Sequence, residues 1–190
     1  MPRLTIPVRL RWSDIDAYRH VNNARMLGIL EECRIQAFWA SVPGDPAGPP
    51  AEAPATSGPT MSALQAAADA PGTKVLATGP GSGTNTYIAR QEIEYLAPVP
   101  YSLEPLQVEL WISHLGGASI DVCYEIPGPD GPAARATTTL VLVDEETGRP
   151  RRLTADERSV WSEFMDPPIR FRRRDRDTSD AASATAQDGA

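Results

Sequence analysis

The chain is poor in sulfur and imidazole. Its 190 residues include two cysteines, Cys33 and Cys123, and two histidines, His20 and His114. Neither cysteine lies in a Cys-x-x-Cys pair, which argues against a structural zinc site or a disulfide framework. No stretch reaches the roughly 20 apolar residues that span a bilayer. The N-terminal segment alternates apolar and polar residues where a signal peptide would need an unbroken apolar run. Positive charge is not in excess either. The formal net charge is −7, which argues against a general nucleic-acid binder with a basic face. No Gly-x-Ser-x-Gly elbow is present, so a Ser-His-Asp hydrolase is not indicated. These absences point to a soluble, cytoplasmic protein of one domain with no membrane or nucleic-acid partner.

Proline is abundant, at 19 residues, with much of the excess between Ser41 and Pro71. A domain over residues 1–165 is therefore expected to carry a flexible Pro/Ala/Gly-rich insert at about 41–83. Within it, Met61 to Ala70 could form a short helical turn. Residues 166–190 read as a disordered low-complexity tail, and the basic cluster from Arg170 to Arg176 reads as part of that solvated tail.

The remaining elements follow from periodicity. Leu4, Ile6, Val8 and Leu10 alternate with polar positions and predict a strand over Leu4 to Trp12. Pro7 lacks an N–H and favours a sheet edge. Ser13 to Val21 is a loop. Asn22 or Asn23 then suits a helix N-cap, and the helix runs to about Ala40. Met26, Ile29, Leu30, Cys33 and Ala37 form its apolar stripe. Leu27 and Ile35 widen the arc, as in a helix covered on more than one side. Gly28 is tolerable there if another backbone packs closely. Four alternating stretches follow: Tyr87 to Tyr95, Leu106 to Ser113, Ile120 to Ile126, and Ala134 to Asp144. Short turns join most of them, which implies antiparallel neighbours. Thr154 and Glu157 form a capping box for a final short helix with Val160, Trp161 and Phe164 on its apolar edge. The expected architecture is α+β, with a long helix across the concave face of one antiparallel sheet.

Titratable groups concentrate between Arg11 and Trp39. Asp14 and Asp16 precede His20, Val21, Asn22 and Asn23, which open the long helix. Three ligands within seven positions, Asp14, Asp16 and His20, could hold a divalent ion, but no further cluster accompanies them.

The phrase Asp14-x-Asp16-x-x-x-His20-Val21-Asn22-Asn23, with Glu31-Glu32-x-Arg34 in the helix, resembles the hotdog-fold acyl-CoA thioesterases of the 4-hydroxybenzoyl-CoA thioesterase-like group. Ala89 to Pro98 and the turn Gly116-Gly117-Ala118-Ser119 are similar to that group as well. The chain departs from it at Arg19, where many relatives carry Gly, and at Met26, where many carry Tyr. The resemblance implies a hotdog fold, in which a curved antiparallel sheet wraps a long central helix. It also implies hydrolysis of an acyl-CoA to free acid and CoA, with no metal and no cofactor. The assembly it implies is a homodimer joined edge to edge, or a homotetramer, with the acyl tunnel between subunits.

The same resemblance places the catalytic carboxylate at Asp16, as general base or as nucleophile. The helix N-terminus offers free N–H groups, so polarisation of the thioester carbonyl falls to the backbone near Asn23. His20 either orients the site and donates to substrate or bonds only within its loop. Asn22 caps the helix and shapes the oxyanion site. Met26 and Glu31 are expected at the substrate, although Glu31 could instead pair with Arg34. Asp14 reads as a loop-fixing acceptor, Cys33 as core, and His114 as structural. Two other readings of the fold remain at this point: a protein that binds acyl-CoA without cleaving it, and a hydratase or dehydratase that leaves the thioester intact.

Overall fold

Period-two burial builds the sheet, and one wide apolar stripe fixes the helix to it. The computed structural model describes residues 2–39, 74–78 and 81–172. The elements in order are β1 (Leu4–Val8), a 3-10 turn (Trp12–Asp14), α1 (Asn23–Phe38), β2 (Thr84–Tyr95), β3 (Leu106–Leu115), β4 (Ser119–Gly128), β5 (Gly131–Asp144) and α2 (Ala155–Ser162). The five strands form one sheet in the order β1-β3-β4-β5-β2, with every neighbouring pair antiparallel. This is the α+β hotdog arrangement expected from the sequence.

The core lies between α1 and the inner face of the sheet. Ile6 and Val8 from β1, Val108, Leu110 and Ile112 from β3, and Val122 and Ile126 from β4 are all buried. Met26, Ile29, Leu30, Cys33 and Ala37 of α1 join them in one cluster. The stripe read from helical spacing is thus the buried one. Burying a side chain of this size contributes about 1.5 to 3 kcal/mol, so these contacts, rather than helix propensity, hold α1 in place. Among the described residues, no helix is long and apolar enough to cross a membrane.

Several expectations change on contact with the structure. The first strand stops at Val8, and Trp12 to Asp14 turn instead. Pro7 fits, because β1 is an edge strand. In β2 the register shifts between Ile88 and Arg90. The extra residue, Ala89, reverses the alternation, so Thr86 and Ile88 share a face with Gln91, Ile93 and Tyr95. Simple alternation groups Tyr87 and Ala89 with that set instead. A Cβ built on Gly28 meets nothing within 4 Å, so no close backbone explains that glycine within one chain. Leu27 and Ile35 are both exposed.

The expected insert and tail lie mostly outside the described residues, as do Met61 to Ala70 and Arg173 to Arg176. Their described margins are packed. Leu76 is buried and its N–H donates to the Phe38 carbonyl at 3.1 Å. Residues 166–172, assigned above to the tail, continue the folded chain. Asp166 pairs with Arg3 at 2.9 Å, the Trp111 indole donates to the Pro167 carbonyl, and Phe171 is buried. A lone Phe amid arginines and prolines gives no periodic signal, which is why sequence pattern missed it.

Candidate functional site

The loop between the 3-10 turn and α1 is held by its own acids. Asp14 Oδ2 accepts from the Arg11 N–H at 2.7 Å, and the Asp14 carbonyl accepts from the Asn22 N–H at 2.8 Å. Asp14 therefore fixes the loop. Asp16 Oδ1 accepts from the N–H groups of Tyr18 and His20 at 2.8 and 3.2 Å. The Asp16 N–H in turn donates to the His20 carbonyl, and the Arg19 N–H to the Asp16 carbonyl. This closed turn forces Arg19 to φ +65°. A left-handed conformation costs an L residue about 1 kcal/mol, and glycine almost nothing. The Gly that the resemblance leads one to expect before the His would meet that requirement; here Arg19 bears the strain.

Asp16 thus uses one oxygen for the turn. Among the described residues, Oδ2 takes no hydrogen bond. The loop is tied to the segment after β2 by the Val21 N–H, which donates to the Val99 carbonyl at 2.8 Å.

The start of α1 is capped but not filled. Asn22 is the N-cap, and its side chain accepts from the Ala24 N–H at 2.9 Å. The Asn23 side chain accepts from the same N–H at 2.8 Å. The Asn22 carbonyl takes the N–H groups of Arg25 and Met26. The Asn23 N–H alone in this first turn has no acceptor among the described residues. No acidic side chain stands in the first turn of α1 to offset its positive end.

These groups converge on a cleft of about 480 Å³, lined by Asp16, His20, Asn23 and Met26 on one side and by Tyr95 to Val99 on the other. Met26 is 1% exposed and forms part of the floor. Tyr95, which sequence reasoning passed over as a strand residue, donates its phenol to the Asn23 carbonyl at 2.8 Å. Partial burial raises its pKa, so it remains a donor near neutral pH. Its signal was visible in hindsight: it is the last residue of β2, inside the strand phrase that ends at Pro98.

The remaining expected residues lie elsewhere. Asn22 is half-buried at the cap and does not line the cleft. Glu31 is exposed and borders a different groove, of about 390 Å³, with Val8, Arg9 and Arg25. No ion pair joins it to Arg34 among the described residues. Glu32 pairs with Arg11 instead, at 3.1 Å, and Arg34 is buried. Cys33 is fully buried, and desolvation pushes its thiol up to about 12, far from a nucleophilic thiolate. His114 is exposed on β3. Among the described residues, no three His, Cys, Asp or Glu side chains gather as a metal-binding group.

Solved structures share this fold at low identity. A predicted thioesterase of Bacillus stearothermophilus matches over 88% of this chain and 100% of its own, with TM-score 0.63 and 19% identity. A thioesterase of Thermus thermophilus, complexed with coenzyme A and zinc, matches over 87% and 96%, with TM-score 0.55 and 22% identity. A DHNA-CoA thioesterase of Staphylococcus aureus matches over 86% and 91%, with TM-score 0.57 and 14% identity. No curated protein matches the chain. The model of the thioesterase-like superfamily matches residues 10–166, from the end of the first strand's apolar pattern to the residue that Arg3 grips. The chain belongs to the thioesterase-like superfamily.

Proposed function

We propose that the protein is an acyl-CoA thioesterase of the 4-hydroxybenzoyl-CoA thioesterase-like group, releasing a free acid and CoA. One observation carries this reading: Asn23, whose N–H has no acceptor among the described residues, lines the same cleft as Asp16. Hydrolysis needs a donor for the developing oxyanion and a carboxylate for the attacking oxygen, and both stand at one helix mouth.

On this reading the thioester carbonyl oxygen accepts from the Asn23 N–H. The end of the α1 dipole strengthens that bond as negative charge grows on the oxygen. Asp16 Oδ2 draws a proton from water as the water oxygen bonds to the carbonyl carbon. The tetrahedral adduct collapses, the C–S bond breaks, and the sulfur leaves with the proton that Asp16 held. The alternative, direct attack by Oδ2 to give a mixed anhydride that water then opens, uses the same two groups. His20 borders the cleft where it can orient the water or the carbonyl. Tyr95 holds the Asn23 carbonyl, in the peptide that follows the donor's own, and so helps to fix the start of α1. The group's edge-to-edge homodimer suits the outer edge of β2, which has no strand beyond it among the described residues and exposes Tyr87 and Ile88.

The test is thiol release from a panel of aliphatic and aromatic acyl-CoAs, with Asp16→Asn as the control. Release by the wild type from at least one thioester, lost in the variant, is expected. Equal slow release by both proteins removes the catalytic assignment. Products that keep the thioester, seen by mass spectrometry, would identify a hydratase or dehydratase instead.

A further inference from the structure

Arg34 is a charged residue in the wrong place for a purely structural role. It is 5% exposed, yet among the described residues it forms no ion pair. Its Nη1 donates to the Tyr124 hydroxyl at a long 3.4 Å, the one hydrogen bond it makes among those residues. A guanidinium carries five N–H donors. Tyr124 is fully buried, which raises its pKa and keeps the phenol neutral, so it brings no counter-charge. The remaining guanidinium nitrogens are not among the wholly enclosed atoms that lack a partner, so solvent in the adjoining pocket reaches them, and an anion entering that pocket would take the place of that water.

Arg34 also lines a pocket of about 110 Å³, whose walls are otherwise largely apolar: Phe38, Leu76, Ile120 and Leu140. Glu31 borders the same pocket, but it is exposed, so water screens its charge. The volume is about four times that of a liquid water molecule, room for a carboxylate with a few methylenes behind it. The pocket and the Asp16 cleft are both flanked by α1 and β2. Tyr95 borders the cleft, while Thr86 and Ile88 border the pocket. From Asn23 to Arg34 the distance along α1 is roughly 16 Å at the α-helical rise.

We infer that the Arg34 pocket receives the far end of a long acyl group that terminates in a carboxylate, so that the substrate class is ω-carboxyacyl-CoA. This rests on the thioesterase reading above and extends it to the substrate. The apolar walls hold the last methylenes, and the guanidinium takes the carboxylate through charge-assisted bonds. A methyl-terminated chain of the same length leaves the guanidinium unpartnered and is disfavoured.

The experiment compares the intact protein with Arg34→Met. Binding of a long-chain dicarboxylic acid monomethyl ester and its dimethyl ester is measured by calorimetry. Thiol release is measured on the matching pair of acyl-CoAs, one ending in a carboxylate and one in a methyl group. The wild type is expected to favour the carboxylate-ended member of each pair by about tenfold or more, as a charge-assisted bond allows, and Arg34→Met to lose that preference. Arg34→Met should melt no lower than the wild type, since it removes a mostly buried charge that has no ion-pair partner among the described residues. A marked fall in Tm shows that Arg34 is satisfied within the folded protein and overturns the proposal. Equal binding of the two esters by the wild type also overturns it, as when the pocket holds water only, even where thiol release proceeds. Preference for the monoester without thiol release from any acyl-CoA keeps the pocket and removes the thioesterase reading alone.

Discussion

The two helices begin in opposite ways. The mouth of α2 is filled by its own side chains. Thr154 and Glu157 exchange bonds with each other's N–H groups at 3.1 and 2.8 Å. Arg151 clamps the Glu157 carboxylate with two bonds, of 2.9 and 2.6 Å, and donates to Thr84 of β2 as well. Asp156 and Glu157 supply negative charge to that first turn. The mouth of α1 has no acid in its first turn, leaves the Asn23 N–H without an acceptor among the described residues, and faces a cleft. One helix start spends its polarity on stability. The other keeps it available, and the Asp16 carboxylate borders the same cleft from the loop. Substitutions at the two mouths should therefore separate activity from stability.

The largest effect is expected at the open mouth. Asp16→Asn keeps the Oδ1 that accepts from Tyr18 and His20, so the loop should stay closed. The rate of thiol release should fall by about a thousandfold, within the range for a lost general base, with Tm nearly unchanged. A rate loss accompanied by an equal loss of stability would mean that Asp16 is a loop anchor only.

The closed mouth should behave in the converse manner. Glu157→Gln removes a charged acceptor from a nearly buried clamp and should cost about 2 kcal/mol of unfolding free energy, with thiol release unaffected. Burial raises the Glu157 pKa, but the bonds from Arg151 and Thr154 outweigh it and hold the carboxyl below its ordinary 4.5. The folded pKa is the depressed one, so this contribution is fully present above 4.5 and fades as pH falls through the lower, folded value. Chemical denaturation at neutral and acidic pH should show the gap between wild type and variant narrowing on the acid side. A gap that is constant or that widens there would contradict the pairing.

The smallest effect lies on the loop that joins the two themes. Arg19→Gly relieves the residue at φ +65° but loosens the unfolded chain, so a net gain of about 0.5 kcal/mol is expected. A loss of stability would show that the Arg19 side chain contributes contacts that outweigh the strain.

Much of this was legible in the sequence, for reasons that differ by residue. The stripe Met26, Ile29, Leu30, Cys33 and Ala37 is a one-dimensional pattern, and burial follows it. The capping residues Asn22 and Thr154 announce themselves because their side chains act within three residues of their own position. Asp16, His20, Asn23 and Met26 meet in one cleft because they lie on one short segment; their chemical roles are the proposal and do not follow from proximity alone. What sequence hid was long-range. Tyr95 reaches Asn23 across 72 positions. The Ala89 bulge depends on a partner strand. Arg34 reads as a helix cation that could pair with Glu31, three residues away, but in the fold it is buried against Tyr124 instead.

The most direct test of the open mouth is Asn23→Pro. Proline suits the first helical position, and Asn22 already has the extended backbone that a following proline requires, with φ −62° and ψ 132°. The substitution deletes the one N–H that the first turn of α1 leaves free among the described residues, and it keeps the helix. With Asn23→Ala as the control that retains the N–H, the proline variant should fold with nearly the same Tm and lose about a hundredfold in kcat, the value of one oxyanion donor. A folded Asn23→Pro protein that releases thiol as fast as Asn23→Ala would contradict the assignment.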